Sequence, residues 1–195
     1  MVSGFYRVVM QGFGLNYLYN KLVFLLFPNV IGENVEIIGK IQRIGRGKVT
    51  IGNNVLINSC RRANPIGGDD RTILFAKENA KIKIGNNVGI SNSAIVAYER
   101  ITIEDDVLIG GSCKIYDNDF HSLDFATRMA VGCVGVMSKP VVIKQGAFIG
   151  AHSIILKGVT VGQYSIIGAG SVVTKDVPDG EIWAGNPARF IRKIK

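Results

Sequence analysis

The sequence predicts an all-β fold, a parallel β-helix of hexapeptide repeats, and three observations lead there. First, six hexads run without a slip from Ile143 to Pro178, led by Ile143, Ile149, Ile155, Val161, Ile167 and Val173. Second, the fourth residue after each lead is small or β-branched: Ala147, Ser153, Val159, Ser165, Ser171 and Val177. Third, Gly, Asn and Lys punctuate these segments, with Gly directly after the lead at Gly150, Gly162 and Gly168. A period of six divides neither the helical repeat nor a heptad, so a helix would scatter these residues around its surface. Short β-branched segments with such corners suit a strand that turns every few residues. Repetition at fixed period marks stacked supersecondary units. Two or three ordinary hairpins are the competing arrangement, and they require strict alternation and two-residue turns.

The elements follow in order, in three parts: residues 1–28, 29–178 and 179–195. Residues 5–27 carry apolar side chains at helical spacing (Phe13, Tyr17, Leu18, Leu22, Leu25, Leu26) until Pro28 stops the pattern. Arg7, Gln11, Asn16, Asn20 and Lys21 make this segment too polar to span a bilayer. Its apolar run, Leu22 to Phe27, is too short for a signal-peptide core, and no A-x-A site follows. The segment is expected to dock on the body or on a neighbouring subunit; peripheral membrane contact through residues 5–27 is the alternative.

Irregular early coils follow, marked by Ile31, Val35, Ile44, Val49, Ile51, Val55 and Ile57. A polar, Gly-rich excursion occupies residues 60–72, with Arg61, Arg62, Asp69, Asp70 and Arg71. It reads as a solvated loop or, since loops on rigid scaffolds carry function, as a substrate contact. The ruler resumes at Ile82, Ile84, Val88, Ile90, Ala94 and Val96; one extra residue near Tyr98 to Arg100 resets its phase before Ile101, Ile103, Val107, Ile109, Cys113 and Ile115. A second excursion spans residues 116–140, then come the six regular hexads. The basic end after Asn186-Pro187 predicts a short C-terminal helix or tail that caps the stack.

The net charge of +8, from 23 Lys and Arg against 15 Asp and Glu, favours an anionic partner such as a phosphorylated ligand, an acidic glycan or a membrane surface. Cys60, Cys113 and Cys133 are scattered, odd in number and without CxxC spacing, which reads as reduced cysteine in a cytoplasmic protein. No metal cluster is visible, and the chain has two histidines, His121 and His152.

Chemistry concentrates in the second excursion, at Asp117, Asn118, Asp119, His121 and Asp124. An imidazole titrates near neutrality and suits proton transfer, and a nearby carboxylate can orient one ring nitrogen. His121 with Asp124 is the candidate catalytic pair, and Asp117 and Asp119 are candidate substrate contacts. His152 falls at a hexad corner and reads as a surface residue.

The stretches ITIEDDVLIGGSCKIYDNDFHSLD (101–124) and VVIKQGAFIGAHSIILKGVTVGQYSIIGAGSVVTKDVPDGEIWAGNPARFIRKI (141–194) resemble the hexapeptide-repeat acyltransferases. The likeness is to the sugar O-acetyltransferase branch that includes galactoside and maltose acetyltransferases. This resemblance implies a left-handed β-helix with three hexads per coil, a homotrimer with active sites between subunits, and acetyl-CoA along the C-terminal coils. It matches His121 to the catalytic base of a direct transfer to a sugar hydroxyl. It matches Gly150, Ala151, Gly168, Ala169, Thr174, Lys175 and Arg192 to the coenzyme A site, with the Ala151 amide near the thioester. Where the galactoside enzymes place an acceptor-binding asparagine, this chain has Ser91 followed by Asn92. The acceptor is expected to be a sugar, nucleotide sugar or surface polysaccharide. N-acetylation of an amino sugar nucleotide is the alternative. A β-helix carbonic anhydrase needs three imidazoles around zinc and finds no spaced partner for His121; a non-catalytic scaffold is the remaining reading.

Overall fold

The computed structural model of the chain describes residues 14–130 and 134–194. The six regular hexads explain the architecture. All six leads are buried, and they fall in turn on three different sheets. Ile143 pairs with Val161, Ile149 with Ile167 and Ile155 with Val173, so each coil takes three hexads.

The first sheet orders Asn29–Ile31, Lys48–Ile51, Lys81–Ile84, Arg100–Ile103, Val141–Ile143 and Thr160–Val161. The second stacks Glu36–Gly39, Leu56–Ser59, Gly89–Ser91, Leu108–Ile109, Phe148–Ile149 and Ile166–Ile167 before the C-terminal strands. The third holds Gln42–Ile44, Ile73–Ala76, Ala94–Ala97, Lys114–Tyr116, Ile154–Ile155 and Val172–Val173. All pairings within this stack are parallel, an arrangement that fits the left-handed β-helix. Alternate residues point inward, and the resulting column of Ile, Val, Leu and Ala is one continuous core.

The phase reset is larger than the sequence rhythm suggests. Ile95 and Ala97 face the core while Val96 faces outward. The corner at Asn92, with φ +42, is thus one residue shorter than the corner stacked on it, because Ile90 and Ile95 pair with Ile109 and Ile115, and the extra chain lies at Tyr98 to Arg100. At the open lower end of the stack, Arg43 takes an inward position. Its guanidinium donates to the carbonyls of Ile44, Gly45 and Gly47 and to Asn29 Oδ1, and it lies 4.9 Å from the Phe27 ring.

Both ends carry extra structure. Helix α1 (Gly14–Leu25) crosses the first coil, where Asn20 acts as a substitute rung: its amide donates to Gly39 O at 2.9 Å and its Oδ1 accepts from Ile41 N at 3.1 Å. The C-terminus forms no helix among the described residues. Glu181–Ala184 extends the second sheet in parallel and turns back through Gly185 to Ala188 into the antiparallel strand Arg189–Lys193. The β-branched and aromatic content of EIW and RFIRK favours pairing, and Pro187 confines the turn.

Candidate functional site

The second excursion leaves the corner after Lys114–Tyr116, and its base is tightly wired. Asp117 is fully buried. Its Oδ1 accepts from Tyr98 N at 2.7 Å and its Oδ2 from Glu99 N and Arg100 N at 2.8 and 2.7 Å. Those contacts make Asp117 a cap on the preceding coil's corner and leave it no surface for the substrate contact expected of it. Lys139 N donates to Asp117 O and Asp119 N to Met137 O, so the two stems of the loop run side by side. Asp119 places its carboxylate 2.6 Å from Lys157 Nζ, between loop and coil.

Beyond this clasp the chain turns sharply. His121 N donates to Asp119 O at 2.7 Å across Phe120, whose φ is +62. A non-Gly residue held there stores strain of roughly 1–3 kcal/mol, which must be offset by its surroundings. The offset comes from rings: Phe120 packs edge-on against Tyr116 at 4.9 Å and Tyr98 at 6.1 Å. The side chain of His121 is thereby left exposed beyond the corner, and among the described residues its ring has no hydrogen-bond partner. Asp124 spends its carboxylate on its own helix. It caps α2 (Phe125–Met129), with Oδ2 accepting from Thr127 N at 2.7 Å, and that amide bond holds its pKa below the usual carboxylate value.

The expected coenzyme residues distribute over two corners. Gly150, Ala151, Gly168 and Ala169 stack at the corner between the second and third sheets, where a Cβ on Gly150 would come within 2.5 Å of Ala169 N. Thr174 and Lys175 lie at the other end of the third sheet, on the same corner as Lys157 and the His121 loop. Arg192 lies on the C-terminal hairpin, paired with Ile182. A single chain therefore keeps His121 and the Gly/Ala corner apart by the length of a short strand and its turns, on the order of 15 Å.

The excursion at 60–72 folds onto the Gly/Ala corner, which the sequence alone does not reveal. Asp69 N donates to Ser112 Oγ at 2.7 Å and its carboxylate pairs with Lys114. Ile66 lies over Gly111, and Gly68 lies against Ser112 and the His152 ring. The loop itself encloses an open pocket of about 340 Å³ lined by Arg61, Asn64, Pro65, Gly67, Gly68 and Asp69. Ser91 accepts from Asn58 Nδ2 at 3.1 Å. Its neighbour Asn92 is buried, donates to Cys60 O, and keeps a buried Oδ1 without a hydrogen-bond partner. Cys113 faces the core, and burial pushes its thiol up to about 11.

Comparison with known proteins fits this geometry. Residues 140–175 match the bacterial transferase hexapeptide (six repeats) family. A dTDP-4-amino-4,6-dideoxy-D-glucose acyltransferase of Escherichia coli is 31% identical over 64% of this chain and 70% of that protein. AntD, an N-acyltransferase from Bacillus cereus, solved as a point mutant with dTDP and coenzyme A, is 30% identical. It superposes with a TM-score of 0.70 over 94% of this chain and 91% of its own. A hexapeptide-repeat acetyltransferase from Vibrio cholerae complexed with acetyl coenzyme A is 28% identical, with a TM-score of 0.52 over 96% of this chain and 81% of its own. The chain belongs to the hexapeptide-repeat transferase family.

Gamma carbonic anhydrase 2 of Arabidopsis thaliana mitochondria is also similar, 27% identical over 97% of this chain; the chain spans 54% of that protein's length. The residues here do not fit a three-imidazole zinc site. The chain has two histidines, one beneath the 60–72 loop and one on the second excursion, and no group of three ligating side chains gathers among the described residues.

Proposed function

We propose that the protein is an acetyl-CoA-dependent O-acetyltransferase acting on the hydroxyl of a sugar, nucleotide sugar or surface glycan in the cytoplasm, working between subunits of a homotrimer. The observation that carries this reading is the exposed imidazole of His121, without a hydrogen-bond partner among the described residues and held off the corner by the strained Phe120 turn and its ring cluster. In the proposed step His121 takes the acceptor hydroxyl proton as that oxygen attacks the thioester carbonyl. The tetrahedral intermediate then collapses, the C–S bond breaks, and the imidazolium returns the proton to the departing thiolate. The Ala151 amide stabilises the oxyanion, and no acyl-enzyme forms.

The intersubunit arrangement is supported by the division of candidate residues over two corners. Packing one protomer's corner against its partner's other corner would bring His121 of one chain beside Gly150, Ala151, Gly168 and Ala169 of the next. Leu56, Leu108 and Phe148 form an exposed apolar column on the second sheet, in register through Gly89; a second protomer would cover it. Thr174, Lys175 and Arg192 are assigned to the coenzyme, whose phosphates suit basic partners. Ser91 and Asp119 are assigned to the acceptor side; Asn92, buried and donating to Cys60 O, is assigned to holding the root of the 60–72 loop rather than to the substrate contact expected of it, and Asp124 to shaping the His121 loop.

The test is release of coenzyme A with hydroxyl-only and amino-sugar nucleotide acceptors. His121→Ala should reduce turnover by at least roughly a hundredfold while leaving the melting curve unchanged; retained turnover overturns the assignment. Acetylation of amino-sugar acceptors alone would select N-acylation, the reading that the likeness to AntD favours.

A further inference from the structure

Helix α1 is turned inside out. Its inward side presents the amide of Asn20 to the coil, with Val23 and Phe24 packed against the core. Its outward side is an aliphatic stripe: Leu15, Leu18, Leu22 and Leu25 are 78%, 61%, 54% and 72% exposed, and Leu26 just beyond is 70% exposed. That spacing, with steps of three and four, is what a helix buries when a surface is available. The sequence alone favours docking on the body or a neighbouring subunit, but the contact with the body leaves this stripe uncovered.

We infer that the outward face of α1 lies on an anionic lipid bilayer. Charge identifies the partner. The first 32 residues contain Arg7 and Lys21 and no acidic side chain. Lys40 flanks the helix from the first coil, its Nζ 5.3 Å from the Tyr19 ring, and Tyr17 is exposed beside the stripe. Leucines flanked by tyrosine and lysine compose a helix that rests in the headgroup boundary. No described helix is long and apolar enough to cross a membrane, so the contact is peripheral.

The inference does not rest on acyl transfer and is read with no acyl donor present. Full-length protein is floated with phosphatidylcholine vesicles and with vesicles that also contain phosphatidylglycerol. It is expected to rise with the anionic vesicles and to release in high salt. Leu18→Ser combined with Leu22→Ser should lower the partition coefficient by roughly two orders of magnitude, with unchanged particle size and melting. Lys21→Glu, which leaves the stripe intact, should lower it about tenfold on the anionic vesicles. Wild-type protein that stays at the bottom of the gradient overturns the inference. So does a double variant that floats as well as wild type, or one that breaks into smaller oligomers, which would make the stripe a contact between copies.

Discussion

Asp117 and Asp119 stand two residues apart on one loop, yet their carboxylates serve different ends. Asp117 is sealed beneath the corner and holds three backbone amides; Asp119 reaches Lys157 at the surface of the stack. Truncating the first strands three buried donors. Asp117→Ala should therefore cost about 3 kcal/mol, lowering Tm by roughly 6–12 °C in a thermal melt, and should loosen the seat of His121. In the sequence both aspartates look like substrate contacts, because composition reports that a loop is acidic but not which carboxylate turns inward. His121 is legible as the candidate base from its residue type alone. The strain at Phe120 that exposes it depends on Tyr98, at the corner after Ala94–Ala97, and Tyr116, at the end of Lys114–Tyr116, which share no sequence signal with it.

Among the elements, corners are harder to read than strands. The leads at Ile143 through Val173 announce their burial by period alone, since each must fill the core once per side of the coil. The short corner at Asn92 is missed in the sequence reading because Ala94, Ile95, Val96 and Ala97 are all apolar, and either alternate set could face inward. The asparagine corners are stacked polar ladders. Asn34, Asn54 and Asn87 each donate to the next coil's side chain, ending on Asp106, whose carboxyl is held below its usual value by Asn87 and Gln145. The opposite device is the Gly/Ala corner, where closeness rather than hydrogen bonding sets the residue. Gly150→Ala places a methyl carbon within 2.5 Å of Ala169 N and cannot be relieved by a side-chain rotation. It should raise KM for acetyl-CoA several-fold and lower Tm by a few degrees, measured by coenzyme A release and calorimetry.

For the molecule as a whole, the stack is a rigid frame with an exposed apolar column on its second sheet. Leu108→Asp with Phe148→Asp should convert the proposed trimer to monomer in light scattering and abolish turnover, since each site would draw on two chains. The coiled stack is legible from its period, but the inward places of Arg43 and Ile95 are not; nor is the terminal hairpin, because a short basic segment after proline suits a turn, strand or helix equally well. The 60–72 loop is fastened at its root: Thr72 N donates to Ser59 Oγ at 2.9 Å, and Thr72 Oγ1 to Asn58 O at 2.8 Å. Register is thus restored at Thr72 however long the intervening detour. Such a hinge-free socket would let insertions of other lengths and chemistries be grafted in, changing what is recognised while the frame beneath keeps its pitch.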